Sequence, residues 1–138
     1  MTTPWLVHFF ERHPNDDPSR SVPARDFLDA LPAKVVAEIQ AVLDAVAEAP
    51  PPAFSGGGKW EAMHGRMAGL FEIRVGSGSV NYRLFCVLER DAADLGGSSI
   101  VAIGGLSKAK RSAAEARDYR LALDYLAEFR RRRTILRE

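Results

Sequence analysis

Three charged side chains, Glu72, Arg74 and Arg83, occur in two adjacent segments whose pattern is that of a β-hairpin. Segments 67–75 and 80–88 are mostly apolar, and a short stretch of glycine and serine joins them. Because side chains alternate between the two faces of a strand, the three charged groups share one face and apolar residues share the other, which must be the buried one. Two guanidinium groups beside one carboxylate leave an excess of positive charge, and arginine suits forked contacts with phosphate.

The register expected for this hairpin has a four-residue loop, residues 76–79, with Val75 opposite Val80. That register places Glu72 opposite Arg83 on the wetter face of the sheet. A cross-strand ion pair of this kind contributes roughly 0.2–1 kcal/mol when it is exposed. The charged group is therefore either an ordinary ion pair or the anchor of an anion-binding site.

A second group of cations, Lys108, Lys110 and Arg111, lies between the last expected strand and the last expected helix. Positive charge just before a helix N-terminus opposes the helix dipole by roughly 0.3–1 kcal/mol per group. A bound anion would remove that conflict, since free backbone N–H groups and basic side chains together form an anion site. The alternative is that these long side chains extend into solvent, where salt screens them.

His64, in the sequence Met63-His64-Gly65-Arg66, is a further candidate because histidine titrates near neutral pH and can act as a base or contact phosphate. An isolated histidine near a strand start is more often a surface residue, and we favour that interpretation. The three histidines are not spaced with carboxylates as metal ligands, and the glycines do not form a nucleotide-binding loop. We therefore expect neither a metal ion nor a cofactor.

These groups need a scaffold, and the sequence predicts an α+β fold. An N-terminal strand and two helices are expected to precede an antiparallel sheet and a C-terminal helix. The predicted elements are a strand at 5–10, helices from Pro23 to Pro32 and from there to about Glu48, strands at 67–75, 80–88 and 100–106, and a helix after Ser112. Ser112 and Glu115 have capping-box spacing at the start of that last helix.

Composition limits the class of protein. A chain of 138 residues with 46% hydrophobic residues and a net charge of +1 predicts one globular domain, residues 1–138. A single cysteine, Cys86, excludes an internal disulfide, and no apolar run is long enough to span a membrane, so we expect a cytoplasmic protein. Positive charge concentrates late in the chain, and the arginines at 130–133 are expected to form a solvated C-terminal tail that suits the helix dipole, the alternative being contact with RNA or a partner.

Segment 69–74 (GLFEIR), the pair Tyr82-Arg83 and segment 105–110 (GLSKAK), followed by an alanine-rich amphipathic helix, together resemble a known family. They look like the HigB-type, phage-protein-like branch of the RelE/ParE toxin superfamily, over roughly residues 60–129. The sequence departs from that pattern at Leu106, where an aromatic residue is usual, at Ala109, which separates the lysines, and by lacking a proline before the last helix.

The resemblance implies a toxin of a type II toxin–antitoxin system that cleaves messenger RNA on the ribosome without a metal. A cognate antitoxin, expected to be a small acidic or helix-turn-helix protein, would hold it inactive. By resemblance and charge, the catalytic candidates are Glu72, Arg74, Arg83, Lys108 and Lys110, and the RNA-binding candidates are His64, Arg66 and Arg111.

Within that implied site the two arginines are expected to stabilise the reacting phosphate, and a lysine to position the backbone or transfer a proton. Glu72 is a possible base, although an ion pair with Arg83 would make it a poor one. Two alternatives stay open: a non-enzymatic inhibitor of DNA gyrase, as in the ParE-like branch, and a decayed toxin that only binds its antitoxin.

Overall fold

The computed structural model describes residues 3–50, 58–109 and 116–137, and it has the predicted α+β architecture. In chain order its elements are β1 (Leu6–Phe9), α1 (Pro23–Asp29), α2 (Ala33–Glu48), β2 (Trp60–Ala62), β3 (Phe71–Ser77), β4 (Val80–Glu89), β5 (Ser99–Ala109) and α3 (Ala116–Arg132). Two short 3-10 turns, Gly65–Met67 and Ala93–Leu95, precede β3 and β5. The predicted order of one strand, two helices, a sheet and a last helix is confirmed; the proposed capping box lies outside the described residues.

The strands form one five-stranded sheet in the order β1-β5-β4-β3-β2. Strands β2 to β5 are antiparallel to their neighbours, as the sequence predicts, but β2 itself was not expected. Strand β1 pairs in parallel with the first residues of β5, from Ser99 to Ala102. A parallel pair requires a long connection, which the helices and the antiparallel strands supply.

Helices cover both faces of the sheet. Helix α2 buries Val35, Ile39, Leu43 and Val46, at helical spacing, with α1 against one face. Helix α3 packs on the other face, where its residues Leu126 and Phe129 are buried. The charged face of the hairpin was expected to be exposed to solvent. Beside α3, however, Glu72 and Arg83 are largely buried, and only Arg74 is well exposed.

The hairpin register differs from the expected one by two residues. Ser77 lies opposite Val80, so a two-residue turn replaces the predicted four-residue loop, and Arg74 rather than Glu72 faces Arg83. Gly78 supplies the positive φ of +61° that such tight turns need. A shift of two residues keeps every side chain on its predicted face, because the strand repeat is also two.

The chain after α3 folds back against β1. Ile135 pairs with Phe10 in an antiparallel bridge, and the N–H of Leu136 donates to the carbonyl of Phe9 at 2.8 Å. The arginines at 130–132 are exposed, as expected, but they do not form a tail: they lie in the last turn of α3, and Asp16 accepts hydrogen bonds from Arg131 and Arg132. These hydrogen bonds lower the pKa of the Asp16 carboxyl, led by the one from Arg132.

None of the described helices has the length and apolar composition needed to cross a membrane.

Gly105 in β5 tests how tightly α1 packs on the sheet. A Cβ at this position would overlap the ring of Phe27, whereas a Cβ at the neighbouring Gly104 would be 3.6 Å from the Tyr125 ring, an ordinary contact. We expect Gly105→Ala to lower the free energy of unfolding by about 1–3 kcal/mol, through overpacking. Urea denaturation measures this, with Gly104→Ala as the matched control. Equal stability of both variants would mean that α1 packs more loosely than described.

Candidate active site

Three strands bring cations to one face of the sheet. Arg74 on β3 lies directly opposite Arg83 on β4, and Lys108 on β5 lies opposite Asn81. Because Asn81 and Arg83 are two residues apart on one strand, Lys108 shares the face of both arginines. Cations that are far apart in sequence therefore converge on one surface beside α3.

The carboxylate of Glu72 lies between the two arginines. One oxygen is 3.5 Å from Nε of Arg74, and the other is 3.6 Å from Nη1 of Arg83. Glu72 is only 7% exposed, and the Arg83 side chain is 13% exposed. In this partly desolvated setting the carboxylate offsets the repulsion between two guanidinium groups that their strand register places side by side.

Tyr119 of α3 completes the surroundings of Arg83. Nη1 of Arg83 donates a hydrogen bond to the Tyr119 hydroxyl at 2.7 Å, and the Tyr119 ring packs 5.9 Å from that of Phe85. Tyr119 packs against the core beneath α3, and no functional role was predicted for it from the sequence. The sequence offers one signal for this contact, the hydroxyl group of Tyr119, since a tyrosine hydroxyl that is buried usually finds a hydrogen-bond partner.

Arg74 is the accessible member of the group. Its side chain is 43% exposed and also pairs with Glu61 of β2 at 3.4 Å. A shallow cavity of about 400 Å³ opens beside it, lined by Gly58, Glu61, Arg74, Val75, Gly76, Asn81, Tyr82 and Arg83. An anion entering this cavity would meet Arg74 first and Arg83 behind it.

Two buried polar atoms at this site have no hydrogen-bond partner in the described structure. They are Oε2 of Glu72 and Nε of Arg83. Burying a polar atom without a hydrogen bond costs about 1–3 kcal/mol, and the 3.6 Å contact between Oε2 of Glu72 and Arg83 offsets part of that cost. Their presence in the same ion pair distinguishes this group from a fully satisfied structural salt bridge.

The remaining candidates fall elsewhere. His64 and Arg66 are exposed and lie just before β3, at the end of the hairpin remote from its turn. Arg66 lines a different cavity, against the second half of α3. The structure therefore does not bring these two residues together with Arg74 and Arg83. Lys110 and Arg111 lie outside the described residues.

Other kinds of chemistry find little support among the described residues. No group of three histidine, cysteine or acidic side chains there is arranged to hold a metal ion. The thiol of Cys86 is fully buried, and this burial raises its pKa, which makes it a poor nucleophile. The arrangement of Arg74, Arg83 and Lys108 is instead suited to binding a phosphate group and stabilising charge on it.

No protein-family model matches the sequence, and no curated protein matches it. Among solved structures, the fold is similar to one chain of the toxin–antitoxin complex RelBE2 from Mycobacterium tuberculosis, with a TM-score of 0.49 and 17% sequence identity. The similarity covers 78% of this chain and 95% of that chain. The activity of this chain must therefore be inferred from its own residues and motifs.

Replacing Tyr119 tests whether its hydroxyl stabilises the buried Arg83. We expect Tyr119→Phe to lower the free energy of unfolding by about 1–2 kcal/mol, because a partly buried guanidinium loses a hydrogen bond. Tyr82→Phe is the control, since the described structure gives the Tyr82 hydroxyl no hydrogen bond, and a change within about 0.5 kcal/mol is expected there. Urea denaturation of both variants makes the comparison. A Tyr119→Phe variant as stable as the parent would mean that solvent satisfies Arg83 equally well.

Proposed function

We propose that the chain is a toxin of the RelE/ParE superfamily, of the HigB type, that cleaves messenger RNA on the ribosome. The whole chain, residues 1–138, would be one cytoplasmic toxin domain held inactive by an antitoxin. The observation that carries this proposal is the placement of Arg74, Arg83 and Lys108, from three different strands, on one face of the sheet. These are also positions that the motif resemblance assigns to catalysis.

Cleavage without a metal has three requirements. A proton must leave the ribose 2′-hydroxyl, negative charge on the pentacoordinate phosphorus must be stabilised, and the departing 5′-oxygen must be protonated. We assign charge stabilisation to Arg74, which is accessible, supported by Arg83 behind it. Lys108 would position the RNA backbone or transfer a proton, together with Lys110.

Glu72 is better suited to positioning than to acting as the base. Its carboxylate is almost fully buried and contacts both guanidinium groups, so it has little access to a ribose hydroxyl. We assign it the role of a shared counter-ion that fixes the two arginines. His64, Arg66 and Arg111 would contact RNA outside the reacting centre.

A second candidate function is supported by one specific observation. Arg74 and Arg83 both already have carboxylate partners, Glu61 and Glu72, which reduces the net positive charge available to a phosphate. This pairing is compatible with a toxin that inhibits a protein such as DNA gyrase by binding alone, or with a decayed toxin that binds only its antitoxin.

Arg74→Ala separates chemistry from binding. We expect induced synthesis of the parent protein to arrest growth through loss of protein synthesis, and the variant to be far less toxic. In single-turnover cleavage of ribosome-bound message, the variant should lose at least about a hundredfold in rate with little loss of affinity, because its contact is made mainly in the transition state.

Lys34→Gln is the control for this experiment, since Lys34 is an exposed cation at the start of α2, on the other side of the sheet. If the Arg74→Ala variant cleaves as fast as the parent, Arg74 is only an ion-pair partner and the site is misplaced. If DNA damage precedes the loss of translation while messages stay intact, the gyrase-type alternative replaces the nuclease.

The proposed antitoxin gives a second genetic test. The cationic surface must be covered for a cell to survive the toxin, so co-expression of a neighbouring open reading frame should restore growth and yield a stable complex. Size-exclusion chromatography of the co-expressed proteins provides the physical measurement. Failure of both adjacent frames to restore growth would contradict a two-gene toxin–antitoxin system.

A further inference from the structure

A second cationic surface lies at the far end of α3 from Tyr119. Arg66, Arg130 and Arg131 surround a shallow depression of about 460 Å³, whose other lining residues are Ala68, Leu123, Leu126 and Ala127. We call the three arginines the α3-end cluster. They come from two parts of the chain, the 3-10 turn before β3 and the last turn of α3.

The α3-end cluster is poor in counter-ions. Arg66 and Arg130 form no hydrogen bond or ion pair with any residue that the structure describes, and Arg131 shares the carboxylate of Asp16 with Arg132. Neighbouring Arg133 behaves differently, since Asp94 accepts two hydrogen bonds from it. Clustered cations without counter-ions repel one another, and an anionic ligand removes that repulsion.

A glycine lies beside the guanidinium group of Arg130. Gly69 has a φ of +102°, which side-chain-bearing residues rarely adopt, and a Cβ there would be 2.8 Å from Nη2 of Arg130. The guanidinium group of Arg130 therefore lies against bare main chain at the turn before β3. The bare main chain at Gly69 thus leaves room for this cation of the cluster beside the turn.

The floor of the depression offers little apolar surface to a protein partner. Leu126 is only 3% exposed and Leu123 is partly buried under the same helix. The two large hydrophobic residues that are well exposed in the described structure, Leu6 and Leu121, do not line it. The three arginines are the charged groups that line it, and they suit the phosphodiester backbone of a nucleic acid.

We propose that the α3-end cluster binds the phosphodiester backbone of RNA, at a place separate from the Glu72, Arg74 and Arg83 site. This inference rests on the proposed function, because it extends the RNA surface of the same protein. Eleven residues of α3 separate Tyr119 from Arg130, which is about 16 Å along the helix axis. One helical strand, at roughly 3.4 Å per phosphate, would cover that distance with about five nucleotides.

The distribution of charge between the helices on the two sides of the sheet also favours RNA binding on the α3 side. Helices α1 and α2 together carry two cations and five carboxylates, a net charge of −3 on one side of the sheet. Helix α3 carries five arginines and three carboxylates, a net charge of +2 on the other side. A polyanion is thus attracted to the α3 side, although the protein as a whole has a net charge of only +1.

The test compares two double variants with equal loss of charge. Arg66→Gln with Arg130→Gln removes two cations from the α3-end cluster, and Arg25→Gln with Lys34→Gln removes two from the α1 and α2 side. Binding of a short labelled single-stranded RNA and of a short RNA duplex is measured by fluorescence anisotropy at several salt concentrations. Thermal melting verifies that both variants are folded.

For the cluster variant we expect affinity for RNA to fall at least about tenfold and the log–log salt slope to decrease by about 1.4 on single strands, or about 1.8 on the duplex. In the control variant we expect affinity to change by no more than about twofold and the salt slope to stay the same. A larger loss on the single strand identifies the message as the source of the phosphates, and a larger loss on the duplex identifies a ribosomal helix.

Several results overturn the proposal: no RNA binding by the parent, an unchanged salt slope in the cluster variant, or an equal loss in the control. Loss of the complex with the co-expressed antitoxin while RNA binding is retained assigns the surface to a protein partner instead, and overturns it as well. Cleavage of ribosome-bound message is measured in parallel. If the parent binds RNA through the α3-end cluster but does not cleave it, only the proposed nuclease function is contradicted. If the parent cleaves RNA and the cluster variant keeps the same salt slope, only the proposed RNA-binding role of the cluster is contradicted.

Discussion

The arrangement of this molecule depends on one partly desolvated cation, the guanidinium of Arg83. Burying a charge is tolerable only when partners surround it, and here they are the carboxylate of Glu72 and the hydroxyl of Tyr119. Glu72 reaches Arg83 because both lie on the same face of the hairpin, and Tyr119 reaches it only when α3 lies across the sheet in one rotation. The interaction that holds the candidate site together thus also favours one docking of the last helix on the sheet.

The sequence predicted the faces of the hairpin residues, which depend on strand periodicity, but it did not predict the hairpin register, which depends on the turn. The faces of the hairpin residues were correct, since a strand repeat of two assigns them whichever even register occurs. The register was wrong because a glycine- and serine-rich connection does not specify whether two or four residues form the turn, and Gly78 allows the tighter one. Strand β2 has three residues, too few to show alternation, and the parallel pairing of β1 has no local signature.

The candidate site could also be predicted only in part from the sequence. Arg74, Arg83 and Lys108 stand out by charge in otherwise apolar strands, and the sheet brings them to one face. Tyr119 was missed as a partner because 36 residues separate it from Arg83, and the rotation of α3 follows from packing rather than from local pattern. Arg66 and Arg130 line one depression although 64 positions separate them in sequence, which a pattern of charges does not reveal.

The fold-back of residues 135 and 136 along β1 has a mechanical consequence. The two segments run antiparallel, with Ile135 beside Phe10 and Leu136 beside Phe9, so their outward ends point in the same direction. A force that pulls these ends apart loads the hydrogen bonds one after another instead of all together. The contact therefore opens like a zipper, and because Phe10 and Ile135 are both buried in the core beside α3, an unfolding machine that draws on these segments would begin by opening that half of the core.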